Sequence, residues 1–196
     1  MHLAGSGPQW PAPAPLVVDR KDLKLRPSRL ANSPPPGITV AIPTYGRDQV
    51  LIDTLRDLLA LEPPAAEILV LDQTLRHQEA VERQLRAWDA AGQIRWLRLP
   101  EPSITRAMNQ GLLAAAQDIV LFLDDDIRPE PGLVQAHLAA HRTTGAALVA
   151  GRVIQPWQEG VDFSLDTEFH FAGLKPFWID EFMGGNFSVD RDAARA

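Results

Sequence analysis

The stretch Ile119-Val120-Leu121-Phe122-Leu123-Asp124-Asp125-Asp126 decides the fold. Five consecutive apolar residues that lead directly into acidic ones are typical of a strand buried on both faces of a parallel sheet. In such a sheet, the polar residues at the carboxyl end of a strand lie at the edge where ligands bind. The three aspartates are therefore predicted to lie at a functional edge of a sheet.

Strands and helices alternate on both sides of this stretch. Short apolar runs predict four further strands, at residues 38–42, 68–71, 94–99 and 146–153. Apolar residues at helical spacing predict four helices between the strands. Asp48 and Ser103 are predicted to cap the first and third of these helices; the third runs to about residue 116 and the fourth covers about 131–142. The alternation predicts an α/β fold, with a largely parallel sheet covered by helices on both faces.

Composition narrows the class of protein. The chain has 196 residues, enough for one sizeable domain, and 45% of them are hydrophobic. The formal net charge of −6 argues against a general nucleic-acid binder, whose surface would be basic. The absence of cysteine excludes disulfides, zinc–thiolate sites and cysteine nucleophiles. We expect no transmembrane segment, since no apolar run reaches about 18 residues, and no secretory signal, so that a cytoplasmic location is expected.

The chain is predicted to divide at Gly37. Residues 1–36 are rich in proline and are expected to form an extended arm, with one short strand at residues 16–18. Residues 37–196 are expected to form the α/β domain. Within it, residues 154–183 lose the alternation and carry scattered aromatics, so this region is expected to form one wall of a cleft. Trp157 and Trp178 are suited either to stack on a sugar or to pack within a lid.

Polar segments follow three of the predicted strands. They are Pro43-Thr44-Tyr45-Gly46-Arg47, Asp72-Gln73-Thr74 and Asp124-Asp125-Asp126. If these strands are parallel, the three segments converge on one crevice. Adjacent carboxylates repel one another, and a cation would offset that repulsion. Such oxygen ligands suit Mg²⁺ or Mn²⁺. The alternative is that the aspartates form a solvated turn or cap the following helix.

Four segments in order carry a family resemblance. Residues 39–47, 105–112, 122–129 and 184–189 resemble the first strand and turn, the helix before the acidic strand, the Asp-x-Asp segment and the glycine-rich strand of family 2 glycosyltransferases. The resemblance covers about residues 37–190. It implies the GT-A fold, which is Rossmann-like, and metal-dependent transfer of a sugar from a nucleotide-diphosphate donor to an acceptor, with Mg²⁺ or Mn²⁺ as cofactor.

The resemblance also implies roles for individual residues. Asp72 would bond the edge of the base, Arg106 would approach the diphosphate, and Asp126 would be the principal metal ligand together with Asp124. The full set implied for nucleotide binding is Pro43, Thr44, Tyr45, Arg47, Asp72, Arg106, Asp124 and Asp125. The residues implied to contact the donor or acceptor sugar are Gly184, Gly185 and Asn186.

Two departures from the family pattern leave alternatives open. Gln73 stands where a second acid is more frequent, and the chain is expected to end at Ala196 before the segment that usually carries the general base. The acids within reach that remain are Asp162, Asp166, Glu168, Asp180 and Glu181. A non-catalytic nucleotide-sugar-binding module is therefore the main alternative. A metal-dependent nucleotidyltransferase ranks behind it, because the first strand is followed by only Gly46-Arg47 rather than a longer glycine-rich basic loop.

One further pair of residues is predicted to be structural. His137 and His141 share a face of the fourth helix, but Leu138 occupies the position at which a zinc-protease motif requires glutamate. We expect both histidines to be partly exposed. The sequence does not specify the sugar, the base, the acceptor or the oligomeric state.

Overall fold

The computed structural model describes residues 37–158, 160, 178 and 182–195. The helices and strands in chain order are β1 (Ile38–Thr44), α1 (Gln49–Leu59), β2 (Glu67–Asp72), α2 (Glu79–Ala90), β3 (Arg95–Arg98), α3 (Ile104–Ala114), β4 (Ile119–Leu123), α4 (Leu133–Thr144), β5 (Leu148–Ala150), a 3₁₀ turn (Pro156–Gln158), β6 (Asn186–Asp190) and α5 (Arg191–Ala194). The strand predicted at residues 16–18 lies outside the described residues. Within them, none of the helices has the length and apolar character needed to span a bilayer.

The six strands form one mixed sheet in the order β3-β2-β1-β4-β6-β5. The strands β1 to β4 are mutually parallel, as predicted, while β6 is antiparallel to both of its neighbours. Because β2, β1 and β4 are adjacent, their carboxyl ends lie side by side. Thr44, at the end of β1, is the register partner of Asp72, at the end of β2.

Helices cover both faces of the sheet. Alternation along β1 sends Val40 and Ile42 into an apolar layer with α1, α2 and α4, and sends Ala41 into a second layer with α3. Helix α3 approaches the sheet closely through Gly111. A Cβ there would lie 2.9 Å from Leu71 Cδ1 and 3.1 Å from a ring carbon of Phe122, so a larger residue would push the helix outward.

The bounds of α4 and β5 differ from the predicted ones for identifiable reasons. Helix α4 begins at Leu133 rather than at 131, because Gly132 adopts a left-handed backbone conformation just before it. Strand β5 has three residues rather than the eight predicted at 146–153, and within the described residues it pairs with β6 at the edge of the sheet. An edge strand has fewer partners to extend it, and its length is therefore poorly encoded in its own sequence.

The two predicted helix caps have different outcomes. Ser103 caps α3 as expected, since its side chain accepts a hydrogen bond from the Arg106 backbone N–H. Asp48 occupies the position before α1, but its side chain makes no capping hydrogen bond. The predicted cap by Asp48 is wrong because its carboxylate instead contacts His77, 29 residues further along the chain.

Candidate functional site

The three polar segments meet at the carboxyl edge of the sheet. Thr44 Oγ1 donates a hydrogen bond to Asp125 Oδ2 at 2.5 Å, which joins the end of β1 to the end of β4. The Gly46 backbone N–H donates to Thr74 Oγ1 at 2.9 Å, and the Gln73 N–H donates to the Thr44 carbonyl at 2.9 Å. These bonds confirm the predicted convergence of the three strand ends.

The acidic cluster contains one buried carboxylate between two exposed ones. Asp125 is 9% exposed and is held by Thr44, while the Thr54 hydroxyl of α1 donates to the Asp125 carbonyl at 2.9 Å. Arg47 lies between two of the acids, with its Nε 3.5 Å from Asp125 Oδ1 and an Nη 3.3 Å from Asp126 Oδ2. Asp125 therefore organises the site, and the exposed Asp124 and Asp126 remain accessible to a ligand.

The electrostatics of the cluster suit a cation. Partial burial raises the pKa of Asp124, and the charges of Asp126 and Asp125 raise it further. Burial also raises the pKa of Asp125, against the opposing effects of the Thr44 hydrogen bond and the Arg47 charge. A divalent cation would offset this mutual repulsion, and exposed carboxylates are oxygen donors that Mg²⁺ and Mn²⁺ accept.

Protein side chains alone do not complete a metal site in the described part of the chain. There, no three His, Cys, Asp or Glu side chains are grouped so that they could hold an ion. Mg²⁺ in proteins is commonly bound through one or two carboxylates plus substrate phosphates and water. The residues present therefore fit a cation that a bound phosphate-bearing molecule helps to coordinate.

Gly185 forms the opposite boundary of the acidic cluster. Its carbonyl accepts a hydrogen bond from the Asp124 backbone N–H at 3.3 Å, and its φ of 83° lies in the left-handed region. A Cβ on Gly185 would lie 2.7 Å from the carboxyl carbon of Asp124. Because Gly185 has no side chain, the Asp124 carboxylate can occupy its position beside it. The neighbouring Gly184 is exposed, with open space around it.

A cleft of about 310 Å³ opens beside the strand ends. Tyr45 is 60% exposed at its rim. The Gln73 side chain accepts a hydrogen bond from the Ser103 backbone N–H, which fixes the loop before α3 against the end of β2. The residues that line the cleft are Pro43, Thr44, Tyr45, Gln73, Pro102, Ser103 and Ile104.

Residues 39–193 match the family model described as Glycosyl transferase family 2. The chain belongs to glycosyl transferase family 2. A curated relative is the galactofuranosyltransferase GlfT2 of Mycobacterium tuberculosis, which is 31% identical over 147 residues, or 66% of this chain and 22% of that protein. The chain thus spans about a fifth of the length of this relative.

Solved structures show that the family 2 chain has the GT-A fold. The mannosyltransferase PcManGT of Pyrobaculum calidifontis, in complex with GDP-Man and Mn²⁺, superposes with a TM-score of 0.60 at 16% identity, over 83% of this chain and 47% of that one. Glucosyl-3-phosphoglycerate synthase of Mycobacterium tuberculosis, in complex with Mn²⁺ and UDP, gives 0.53 at 19% identity, over 80% and 57%. The chain covers about half the length of these two proteins.

Asp72 of this family 2 chain ends β2, directly before Gln73, which lines the cleft. It is fully buried, and both of its carboxylate oxygens are engaged. Oδ1 accepts from the Thr74 N–H at 2.8 Å, while Oδ2 accepts from Trp96 Nε1 at 2.9 Å and lies 2.8 Å from His77 Nε2. The contact of Asp72 with a base edge stays a prediction. Sequence reasoning missed His77, because an isolated loop histidine gives no periodic signal.

Arg106 and Asn186, which are predicted to contact phosphate and sugar, lie in different surroundings. Arg106 is exposed on the first turn of α3, forms an ion pair with Glu101, and is not among the residues that line the cleft. The Asn186 amide is engaged inside the fold, since Oδ1 accepts from His137 Nε2 at 2.9 Å and Nδ2 donates to the Arg152 carbonyl at 2.9 Å. The predicted ligand contacts of Arg106 and Asn186 stay predictions.

His137 and His141 are buried, at 2% and 1% exposure, so the prediction that they are partly exposed is wrong. Their helix face packs on β6, where His137 Nδ1 and His141 Nε2 each lie 2.7 Å from the Ser188 hydroxyl oxygen. Burial lowers the pKa of both rings, that of His137 to about 4. The pair joins α4 to β6 as part of the scaffold.

Two predicted groups of residues remain, namely the two tryptophans of the cleft wall and the candidate general bases. Trp157 and Trp178 are 75% and 57% exposed, so neither packs into the described core. The acids considered as general bases all lie outside the described residues: Asp162, Asp166, Glu168, Asp180 and Glu181.

Proposed function

We propose that this chain transfers a sugar from a nucleoside diphosphate donor to an acceptor. The observation that carries the proposal is the junction of three strand ends. There Asp125, between the exposed Asp124 and Asp126, accepts a hydrogen bond from Thr44, which lines the cleft. Membership of glycosyl transferase family 2 supports it, as do relatives with the same fold in complex with GDP-Man or UDP and Mn²⁺.

The nucleoside occupies the cleft in this proposal. Pro43 and Thr44 form part of its lining, and the exposed ring of Tyr45 offers an apolar face to the base. Arg47 and Arg106 are exposed cations on the segments that border the cleft, where they can pair with phosphate oxygens. In this proposal, residues 37–196 are the donor-binding domain and residues 1–36 are an arm outside it.

Asp126 is the proposed principal metal ligand, with Asp124 beside it. Held by these carboxylates, Mg²⁺ or Mn²⁺ would supply positive charge to offset that of the departing diphosphate. The buried Asp125 acts on the protein side, since its hydrogen bond to Thr44 and its ion pair with Arg47 keep the β1 segment in register with the acids. Gly184 and Gly185 precede β6, Asn186 begins it, and all three are proposed to border the sugar next to Asp124.

The experiment that tests the proposal is thermal denaturation with UDP or GDP, with and without Mn²⁺. Ligand at about a hundred times its Kd adds about 2.7 kcal/mol to the free energy of unfolding, which raises Tm by several degrees. We expect this rise only when metal and nucleotide are both present. Asp126→Ala should abolish it, while Asp57→Ala, which removes an exposed carboxylate on α1, should retain it.

Two results would redirect the proposal. If neither nucleotide raises Tm in the presence of metal, the site does not bind a nucleoside diphosphate and the proposal fails. If a nucleotide sugar binds but is neither hydrolysed nor transferred to any sugar or lipid-linked acceptor tested, the non-catalytic binding module is the correct function. Release of UDP or GDP from the matching nucleotide sugar, lost in Asp126→Ala, supports the transferase.

A further inference from the structure

His77, in the loop after β2, is enclosed between two carboxylates. Its side chain has no solvent exposure. Its Nδ1 lies 2.8 Å from Asp48 Oδ1 and its Nε2 lies 2.8 Å from Asp72 Oδ2. Asp48 precedes α1 and Asp72 ends β2, so the ring joins the two loops that follow β1 and β2.

The hydrogen-bond partners determine the protonation state of the ring. Asp72 also accepts hydrogen bonds from the Thr74 N–H and from Trp96 Nε1. An ionised carboxylate can only accept hydrogen bonds. Each nitrogen of the His77 ring faces a carboxylate, and the ring can donate to both only when it is an imidazolium.

The surrounding charges agree with a charged ring. Burial lowers the pKa of His77, but the hydrogen bonds and charges of Asp72 and Asp48 outweigh it, and the net pKa is raised. Glu82 on α2 adds a third negative charge nearby. Arg86 and Arg98 lie over the Trp96 ring, 5.8 and 5.5 Å from its centroid, on the β3 side.

The bonds around His77 form a closed circuit. Asp48 contacts His77, His77 contacts Asp72, Asp72 accepts from Thr74, and Thr74 accepts from the Gly46 N–H. The last residue of the circuit, Gly46, lies two residues before the first, Asp48. The circuit encloses Arg47, which lies between Gly46 and Asp48, and so constrains the backbone of the turn that follows Tyr45.

We propose that His77, protonated on both nitrogens, is a positioning residue that holds the Tyr45–Arg47 turn in the conformation that binds nucleotide. The nucleotide part of this inference rests on the proposed function. A neutral ring donates to only one carboxylate and presents a lone pair to the other. Nucleotide affinity is therefore highest below the pKa of His77 and falls as pH rises through that pKa, above its ordinary value of 6.5.

Asp48→Asn separates the positioning role from a general packing role. The amide that this substitution introduces can donate to the Nδ1 lone pair of a neutral ring, so the circuit no longer needs the extra proton. The affinity for UDP and for GDP, each with Mg²⁺, is measured by calorimetry from pH 6 to pH 8.5. Across this range we expect the affinity of the wild type to fall roughly tenfold more than that of Asp48→Asn. A loss of this size corresponds to about one hydrogen bond to a charged group.

Asp57→Asn is the matched control, because it removes one carboxylate from α1 away from the circuit. It should keep the wild-type pH profile, and titration of the nucleotide phosphate cancels in the comparison. Identical profiles for the wild type and Asp48→Asn would overturn the inference. His77→Gln should weaken binding across the whole pH range, and His77→Gln with unchanged affinity in a folded protein would also overturn it.

A second readout needs no nucleotide. Ring proton and nitrogen NMR shifts of His77 should report an imidazolium that titrates above pH 6.5 in the wild type and at lower pH in Asp48→Asn. A neutral His77 at pH 6.5 in the wild type would contradict the inference. If neither nucleotide binds any variant, the proposed function fails, while the NMR titration still decides the protonation of the ring.

Discussion

The substitution Gly185→Ala tests the contact between β6 and the acidic cluster. The backbone at this position has a φ of 83°, and forcing an alanine into the left-handed region costs about 1–2 kcal/mol. The added Cβ would also lie 2.7 Å from the Asp124 carboxyl carbon, closer than the two carbons can approach, so the carboxylate must move. Losing one charged ligand contact of about 1.5–3 kcal/mol weakens binding of metal and nucleotide by roughly 10- to 150-fold.

Two other glycines separate the backbone cost from the effect on Asp124. Gly132 has a φ of 81° with open space around its Cα, so Gly132→Ala carries a similar backbone cost without touching the cluster. Gly184→Ala adds a methyl group in open space next door. Urea denaturation should show a similar loss of stability for Gly185→Ala and Gly132→Ala. Calorimetry with Mn²⁺ and nucleotide should show lost affinity for Gly185→Ala alone.

The reasoning would be refuted by a folded Gly185→Ala protein with wild-type affinity for metal and nucleotide. It would equally be refuted if Gly132→Ala lost as much affinity as Gly185→Ala. In either case, the Asp124 carboxylate would not depend on the bare Cα of Gly185, or would not contribute to binding.

Three further predictions concern stability, pH and binding. Thr54→Val removes the buried hydroxyl that donates to the Asp125 carbonyl and should lower the free energy of unfolding by about 1–3 kcal/mol in urea denaturation; no loss would show that this bond does not anchor α1. The lowered pKa values of His137 and His141 mean that the unfolded chain binds more protons than the folded chain between pH 6.5 and 4. The free energy of unfolding should therefore decrease as the pH falls through this window, by roughly 3 kcal/mol for His137. A urea midpoint that does not change with pH would indicate that both rings are already charged in the folded state. Tyr45→Ala should leave stability within about 0.5 kcal/mol, because the ring is 60% exposed, yet weaken nucleotide binding by roughly tenfold; unchanged affinity would remove Tyr45 from the site.

The parallel part of the fold and the position of the site could be predicted from sequence. In each of β1, β2 and β4 a largely apolar run leads into polar residues, and this pattern specifies both a buried strand and the edge at which its end lies. The antiparallel insertion of β6 between β4 and β5 could not be predicted, because a short strand carries no record of which strands it pairs with.

The side-chain partners within the site were the least predictable part. Asp48 has the residue type and position of a helix cap, but a histidine 29 residues away takes its carboxylate. His137 and His141 are polar residues of α4, and they are buried where their ring nitrogens contact Ser188 of β6. These contacts are nonlocal, and each depends on two segments that meet only in the folded chain.

The most direct measurement is a crystal structure of this chain with Mn²⁺ and UDP or GDP, with the metal located by its anomalous scattering. We expect an anomalous peak in coordination contact with Asp126 or Asp124, a diphosphate on the same ion, and a base against Tyr45. A nucleotide bound away from the ends of β1, β2 and β4, or a Mn²⁺ ion held without either carboxylate, would contradict it.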